Sequence, residues 1–301
     1  MFSPGDDGRA PGWGASGVPL GGAGTGLSSL PPMATRGNRR ATVFARIASG
    51  TVSLEPDPAR ERGWTVYVDG VPQSYVDLGN PRHLAFEYVR RIATVLRLAR
   101  EPGVPMTVLH LGGGGLTLPR WVSAQRPGSA QTVVELDPLL LAVIAEHLPW
   151  PAEITAEVGD ARAFTEAAGP QRYDAIVVDV FQGAAMPASV AGTGFAQAAA
   201  RLLAPGGVLA MNLTDVPPLS YSRIQAATLR AAFADVALIA PPGMLRGRKA
   251  GNVVLAAAIE RRGLPVQRLA RSVANDPEPA RVWHGEDLTA FLGGARARLD
   301  G

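Results

Sequence analysis

The chain has 301 residues, 47% of them hydrophobic and 18% charged, a globular composition rich enough for one large core, alone or with a small appendage. It has no cysteine, which excludes disulfides, thiolate zinc sites, iron–sulfur clusters and cysteine nucleophiles. Its four histidines, His83, His110, His147 and His284, are too scattered for a paired-histidine metal helix, so no metal is expected. The formal charge is only +3 and every basic residue except Lys249 is arginine. No dense basic run interleaved with aromatics occurs, so nucleic acid is not an expected partner. No run of about 18 apolar residues is free of glycine, proline and charge, so no membrane partner is expected. No basic segment leads into an apolar one at the N-terminus, and a cytoplasmic protein is the reading.

Residues 1–38 hold ten glycines and five prolines without periodicity. Such a segment cannot bury enough surface to offset its backbone entropy, and a disordered tail is predicted. Met33 opens MATRGNRR, which reads as an ordinary start, so translation from Met33 rather than Met1 is an expectation. Residues 39–82 are short β-rich runs, ATVFARIA, TVSLEP and WTVYV-DG-VPQSYV. Asp69-Gly70 between Trp64–Val68 and Val71–Val76 is a two-residue hairpin signal. The result is a small antiparallel β-domain, too small to stand alone.

Residues 83–262 form the main domain. Leu84–Arg100 is helical by the spacing of Leu84, Tyr88, Ile92, Val95 and Leu96. Apolar runs then alternate with helices: Val104–Leu111, Gln131–Leu136, Ile154–Val158, Ala175–Val178 and Val208–Leu213, the last after a Leu-Leu-Ala-Pro-Gly-Gly turn. Continuous apolar strands between helices imply a parallel sheet covered on both faces. Val236–Ala240 and Asn252–Ala258 finish it, with the last strand antiparallel. Residues 263–301 read as a helical extension: an arginine-rich helix, a proline-rich break and a last helix from Glu286.

In such a sheet ligands bind outside the carboxyl ends of the strands, and four strands end in candidate groups. Gly112-Gly113-Gly114-Gly115 closes the first strand. Glycines there admit close backbone approach to a ligand, or simply make a tight turn, and no Walker lysine follows. Glu135 ends the next strand, 22 residues after Gly113, where an acid can accept both ribose hydroxyls or merely face solvent. Asp137 caps the helix that Pro138 opens. Asp160, followed by Ala161, ends the third strand and can accept an adenine amine or cap the next helix. Asp179 closes the run Ala175–Val178, where desolvation raises basicity, and reads as a general base or a satisfied structural acid.

Taken together, VYVDGVPQSYV, HLGGGG, TVVELD, VGDAR, YDAIVVDVF and LLAPGGVLAMN resemble the spermidine synthase (polyamine aminopropyltransferase) family, in its divergent bacterial branch, across residues 41–260. The resemblance implies an α/β fold, a Rossmann-like sheet of the S-adenosylmethionine-dependent methyltransferase type with a small N-terminal β-domain. It implies transfer of an aminopropyl-type group from decarboxylated S-adenosylmethionine to a small-molecule amine acceptor. The alternatives are methyl transfer from intact S-adenosylmethionine and a non-catalytic nucleoside-binding homologue. By resemblance, Gln73 contacts the sulfonium side, Gly112, Gly113 and Gly114 cradle the nucleoside, Glu135 takes the ribose, Asp160 and Ala161 the adenine. Asp179 deprotonates the attacking amine, and Glu87, the surviving residue of the family's Y-H-E, joins it among the catalytic residues. Members are commonly dimers or tetramers, so a homodimer is an admissible partner.

The chain departs from the family on the amine side. The family loop reads GGGDGG, with Gly115 here at the acid. The second acid of its D-x-x-D is Gln182, and its Y-H-E reads Ala85-Phe86-Glu87. Each lost carboxylate removes about 1.5–3 kcal/mol of charge-assisted hydrogen bonding from an ammonium. Arg246, Arg248 and Lys249 precede the final strand. Folded over the cleft they make its acceptor side neutral or positive, disfavouring a diamine; otherwise they are a solvated basic loop.

Overall fold

The computed structural model describes residues 40–169, 173–183 and 185–300, within a unit spanning Arg40–Gly301. The predicted tail and the question of Met33 lie outside the described residues.

Four strands, β1 (Val43–Ile47), β2 (Gly50–Pro56), β3 (Gly63–Val68) and β4 (Val71–Asp77), form an antiparallel meander. Asp69 and Gly70 join β3 to β4 with φ of 48° and 76°. Positive φ at both turn residues matches the strand twist, as the Asp-Gly pair predicted. Between Val66↔Ser74 and Tyr67↔Pro72 the register shifts, leaving Gln73 without an opposite residue. This bulge re-aims the side chains of β4 just before it meets the larger sheet.

Helix α1 (Glu87–Ala99) leads into β5 (Thr107–Leu111), α2 (Thr117–Gln125), β6 (Ala130–Glu135), α3 (Pro138–His147), β7 (Ile154–Val158), α4 (Ala161–Ala167) and β8 (Tyr173–Val178). Then come α5 (Thr193–Leu202), β9 (Leu203–Asp215), α6 (Ser220–Arg230), β10 (Asp235–Ala240), α7 (Pro242–Leu245), β11 (Gly251–Ala258), α8 (Val266–Ala274), β12 (Arg281–His284) and α9 (Gly285–Leu292). The large sheet has the order β12-β10-β11-β9-β8-β5-β6-β7. Strands β5 to β9 are parallel, and β11 is antiparallel to both β9 and β10.

Two differences from the sequence reading stand out. Strand β9 begins at Leu203, pairing with Tyr173, so the Ala-Pro-Gly-Gly segment expected as a turn continues the strand across an irregular register. The C-terminal segment expected to be helical contributes β12, which extends the sheet along β10. Its four residues carry one half-buried apolar pair and no periodicity that a sequence pattern can register.

The alternation of side chains sends Leu109 and Leu111 of β5 to one face, against α5, α6 and α9, and Val108 to the other, against α1, α2 and α8. Arg126, 2% exposed, spends its guanidinium on four carbonyls, those of Arg97, Arg100, Glu101 and Val104 at 2.6–3.0 Å, and so ties off the C-terminus of α1. The small sheet has no core of its own. Val52, Leu54, Val66 and Val76 pack with Val133 of β6, Leu140 and Ile144 of α3, and Leu148 just after it. Asp137 fixes that junction. Its Oδ1 accepts from Leu139 N and Leu140 N, capping α3 as predicted, while its Oδ2 accepts from Ser49 N and Oγ in the β1–β2 turn.

Candidate active site

Gly112–Gly114, Glu135, Asp160 and Asp179 lie at the carboxyl ends of β5, β6, β7 and β8, whereas Gln73 belongs to β4 and Glu87 to the head of α1. Gly112 has φ of 91°, and a Cβ there would lie 2.1 Å from the carbonyl oxygen of Asp179. Only glycine lets the loop after β5 cross so close to the end of β8. The loop is then held by Glu135, whose Oε2 accepts from Gly113 N (2.8 Å) and Gly114 N (3.2 Å) and whose Oε1 accepts from Asp137 N (3.0 Å). A carboxylate has about four lone-pair sites, so Glu135 keeps capacity for a further donor beside the loop. Its neighbours Leu136 and Val158 are 65% and 57% exposed, and Val158 is the register partner of Glu135. Two large apolar side chains left in solvent beside an acid offer walls for a flat ring. Sequence reasoning passed over both, although Leu136 sits between the two acids of ELD.

Asp160 N-caps α4, its Oδ1 accepting from Ala163 N at 2.8 Å, and Ala161 is buried behind it. One of its oxygens is thus spent on the helix and the other is available.

Gln73 is the bulged residue of β4, and its carbonyl accepts from the Tyr88 hydroxyl at 3.4 Å. Ser74, next to it, closes on the glycine loop: Gly115 N–H donates to Ser74 Oγ at 3.0 Å. A Cβ at residue 115 would lie 3.0 Å from both Ser74 Cβ and Val76 Cγ2. The small sheet therefore crowds the position at which a side chain on residue 115 would start.

Asp179 lies at the end of β8. Its Oδ1 accepts from Asn212 Nδ2 at 2.8 Å, and Asn212 Oδ1 accepts from Asn252 Nδ2 at 3.1 Å. Burial pushes the Asp179 carboxyl up to about 6, with the Asn212 hydrogen bond pulling the other way. A small cleft of about 30 Å³ opens against it, lined also by Ser74, Tyr88, Val89, His110, Gly112, Gly113, Thr117 and the apolar Leu118, Pro119 and Val177. Asp179 is the only carboxylate among those lining residues.

Glu87 is the first residue of α1, with Oε1 4.0 Å from Arg91 Nη1. It does not line the cleft; its successors Tyr88 and Val89 do. Tyr88 is a residue the sequence reading treated only as part of a helical stripe. Gln182 is exposed in a tight turn bridged to Ala185. Arg246, Arg248 and Lys249 are exposed and absent from the cleft wall, so they stand as a solvated loop.

No sequence-family profile matches the chain. It is 30% identical over 158 residues to a polyamine aminopropyltransferase from Vibrio vulnificus (strain CMCP6), a match covering 51% of each chain. It is 31% identical over 152 residues to an N-terminal histidine N-methyltransferase from Emericella nidulans, covering 49% of this chain and 26% of that one. The chain thus spans about half the length, or less, of these curated relatives. Among solved structures, a probable spermidine synthase from Corynebacterium glutamicum ATCC 13032 superposes with a TM-score of 0.80 at 32% identity, over 87% of this chain and 97% of that one.

Proposed function

The chain belongs to the spermidine synthase family, and on that footing we propose that it is a transferase moving an aminopropyl-type group from an adenosyl sulfonium donor to an amine. The observation that carries the reading is Asp179: a carboxylate in a desolvated cleft, held by Asn212 and raised to about 6, beside a glycine loop pinned by Glu135. In this reading Glu135 accepts the ribose hydroxyls, Leu136 and Val158 flank the adenine, Asp160 takes its amine, and Gln73 stands on the sulfonium side. A cytoplasmic location and a homodimer belong to the same proposal.

The chemistry asked of the protein is small. Asp179 Oδ2 takes a proton from the acceptor ammonium. The freed nitrogen lone pair attacks the donor carbon beside sulfur, the C–S bond breaks, and its electrons neutralise the sulfonium to a thioether. A base near pKa 6 is ionised at neutral pH yet basic enough to share the proton. Orientation by the glycine loop and the bulged β4 supplies the remaining rate.

Methyl transfer from intact S-adenosylmethionine is the second reading. It is favoured by one observation: the space beside Gly115 holds Ser74 and Val76 rather than an acid that would repel the donor's carboxylate. Calorimetry with the carboxylated and decarboxylated donors separates the two. Tighter binding of the decarboxylated form supports aminopropyl transfer; the reverse order refutes it.

A further inference from the structure

Five polar side chains form one row across the sheet, on the face that α1 and α2 cover. They are Gln131 on β6, His110 on β5, Asp179 after β8, Asn212 on β9 and Asn252 on β11. The register puts them there: Val108 pairs with Gln131, His110 with Val177 two residues before Asp179, and Asn212 with Val254 two residues after Asn252. From one end the row runs Asn252 to Asn212 to Asp179 by hydrogen bonds of 3.1 and 2.8 Å. From the other, His110 Nε2 meets Gln131 Oε1 at 3.0 Å. The row breaks once, between His110 and Asp179, and both residues line the cleft at that break.

The tautomer of His110 follows from its neighbours. Gln131 Nε2 donates to Pro119 O (3.0 Å) and Ser123 Oγ (2.9 Å), which leaves its oxygen toward the imidazole. Nε2 of His110 therefore carries the proton, which leaves Nδ1 an unprotonated acceptor on a ring that lines the cleft. Burial pushes the ring down to about 4, so it stays neutral where the protein works. The cleft is thus lined by a carboxylate and a neutral imidazole, with the apolar Val89, Leu118, Pro119 and Val177 among its other walls. A carboxylate and an imidazole with a free acceptor nitrogen, lining one cleft, suit a group that carries several N–H donors.

We infer that His110 is a second amine-binding residue of the cleft, its Nδ1 accepting from the same ammonium or amine nitrogen that Asp179 holds. The inference rests on the adenosyl reading, because the glycine loop places that nitrogen's ligand. The nitrogen belongs either to the donor's aminopropyl tail or to the acceptor.

With only four histidines in the chain, imidazole ¹⁵N spectra of the intact protein test this directly. His110 is assigned as the signal missing in His110→Asn, or as an Nε2-protonated ring that stays neutral in mild acid. Methylthioadenosine, which has no amine tail, is expected to bind and leave Nδ1 unmoved. A shift of Nδ1 toward the hydrogen-bonded range on adding decarboxylated donor assigns the tail. The same shift with methylthioadenosine plus propylamine or putrescine assigns the acceptor. In His110→Leu, affinity for the amine-bearing ligand should fall about tenfold or more relative to methylthioadenosine. An unmoved Nδ1 under every amine, with methylthioadenosine bound, overturns the inference alone. Failure of methylthioadenosine to bind overturns the adenosyl reading and the inference with it.

Discussion

Replacing Asp179 by asparagine separates what the carboxylate does for the reaction from what it costs the fold. In the folded protein its pKa stands at about 6 against an ordinary 3.8. The folded state therefore holds this proton more tightly than the unfolded chain, and stability falls as pH rises from 3.8 through 6. About two units at 1.36 kcal/mol each give a penalty of at most about 3 kcal/mol, present in full above the folded value. Water in the cleft reaching Oδ2 lowers it. Asparagine keeps the shape and the acceptor for Asn212 Nδ2, and carries no charge to desolvate. Asp179→Asn should thus melt several degrees above wild type at pH 8, with the gap closing below about pH 4. Its turnover at pH 7 should fall by about 10²–10⁴ while donor affinity hardly changes. Thermal melts across pH, beside steady-state rates and donor titrations, measure all three. A Tm difference that does not vary with pH would refute the desolvation argument, and unchanged turnover would show that another group takes the proton.

Asn212→Leu removes the donor that favours ionised Asp179; at about 1.5–3 kcal/mol for a charged hydrogen bond, the acidic limb of kcat/KM should move up by about one to two pH units, and an unmoved limb refutes the pairing. Glu135→Gln loses the charge and one acceptor for the loop N–H groups, so methylthioadenosine affinity in calorimetry should fall by about a hundredfold or more with a smaller loss of Tm; unchanged affinity removes the ribose assignment. Gly112→Ala combines a positive φ with a Cβ 2.1 Å from Asp179 O and should cost more than about 3 kcal/mol in denaturant unfolding. Gly115→Asp meets Ser74 and Val76 at 3.0 Å and should lower Tm by a few degrees without tightening the decarboxylated donor; a gain in donor affinity would show that the small sheet yields easily.

The main strands were legible because each is a continuous apolar run whose end is marked by glycine or an acid, as at Leu111-Gly112 and Val178-Asp179. The Asp69-Gly70 turn and the Asp137 cap were legible because each obeys a local rule that needs no tertiary information. What escaped the sequence depends on neighbours from elsewhere in the chain. Gln73 looks like any residue of an alternating strand until the register against β3 slips beside it. Strand β12 exists because β10 offers an edge, not because Arg-Val-Trp-His has a strand pattern. Glu87 and Asp179 read as partners, yet Glu87 lies at the head of α1 within 4.0 Å of the buried Arg91. His110 was the best hidden, since one polar residue in an apolar run shows its surroundings only when Gln131 on β6 and Asp179 after β8 are brought beside β5.

The losses on the amine side also become intelligible together. Gly115 is backed by Ser74 and Val76, Gln182 turns outward, and Glu87 sits near a guanidinium, so a single carboxylate remains on the cleft wall. The exposed basic loop at Arg246–Lys249 is not part of that wall. On the proposed reaction, acceptor selectivity then follows from the charges inside the cleft. One carboxylate balances one ammonium. Two neutral acceptor-capable groups, His110 and Tyr88, can orient a nitrogen without adding negative charge. On the proposed reaction, the second ammonium of a diamine has no carboxylate to meet within the cleft and stays hydrated at its mouth. Binding a dication there forgoes about 1.5–3 kcal/mol for each missing charge-assisted bond, roughly ten- to a hundredfold in affinity. A monoamine loses nothing by the same subtraction.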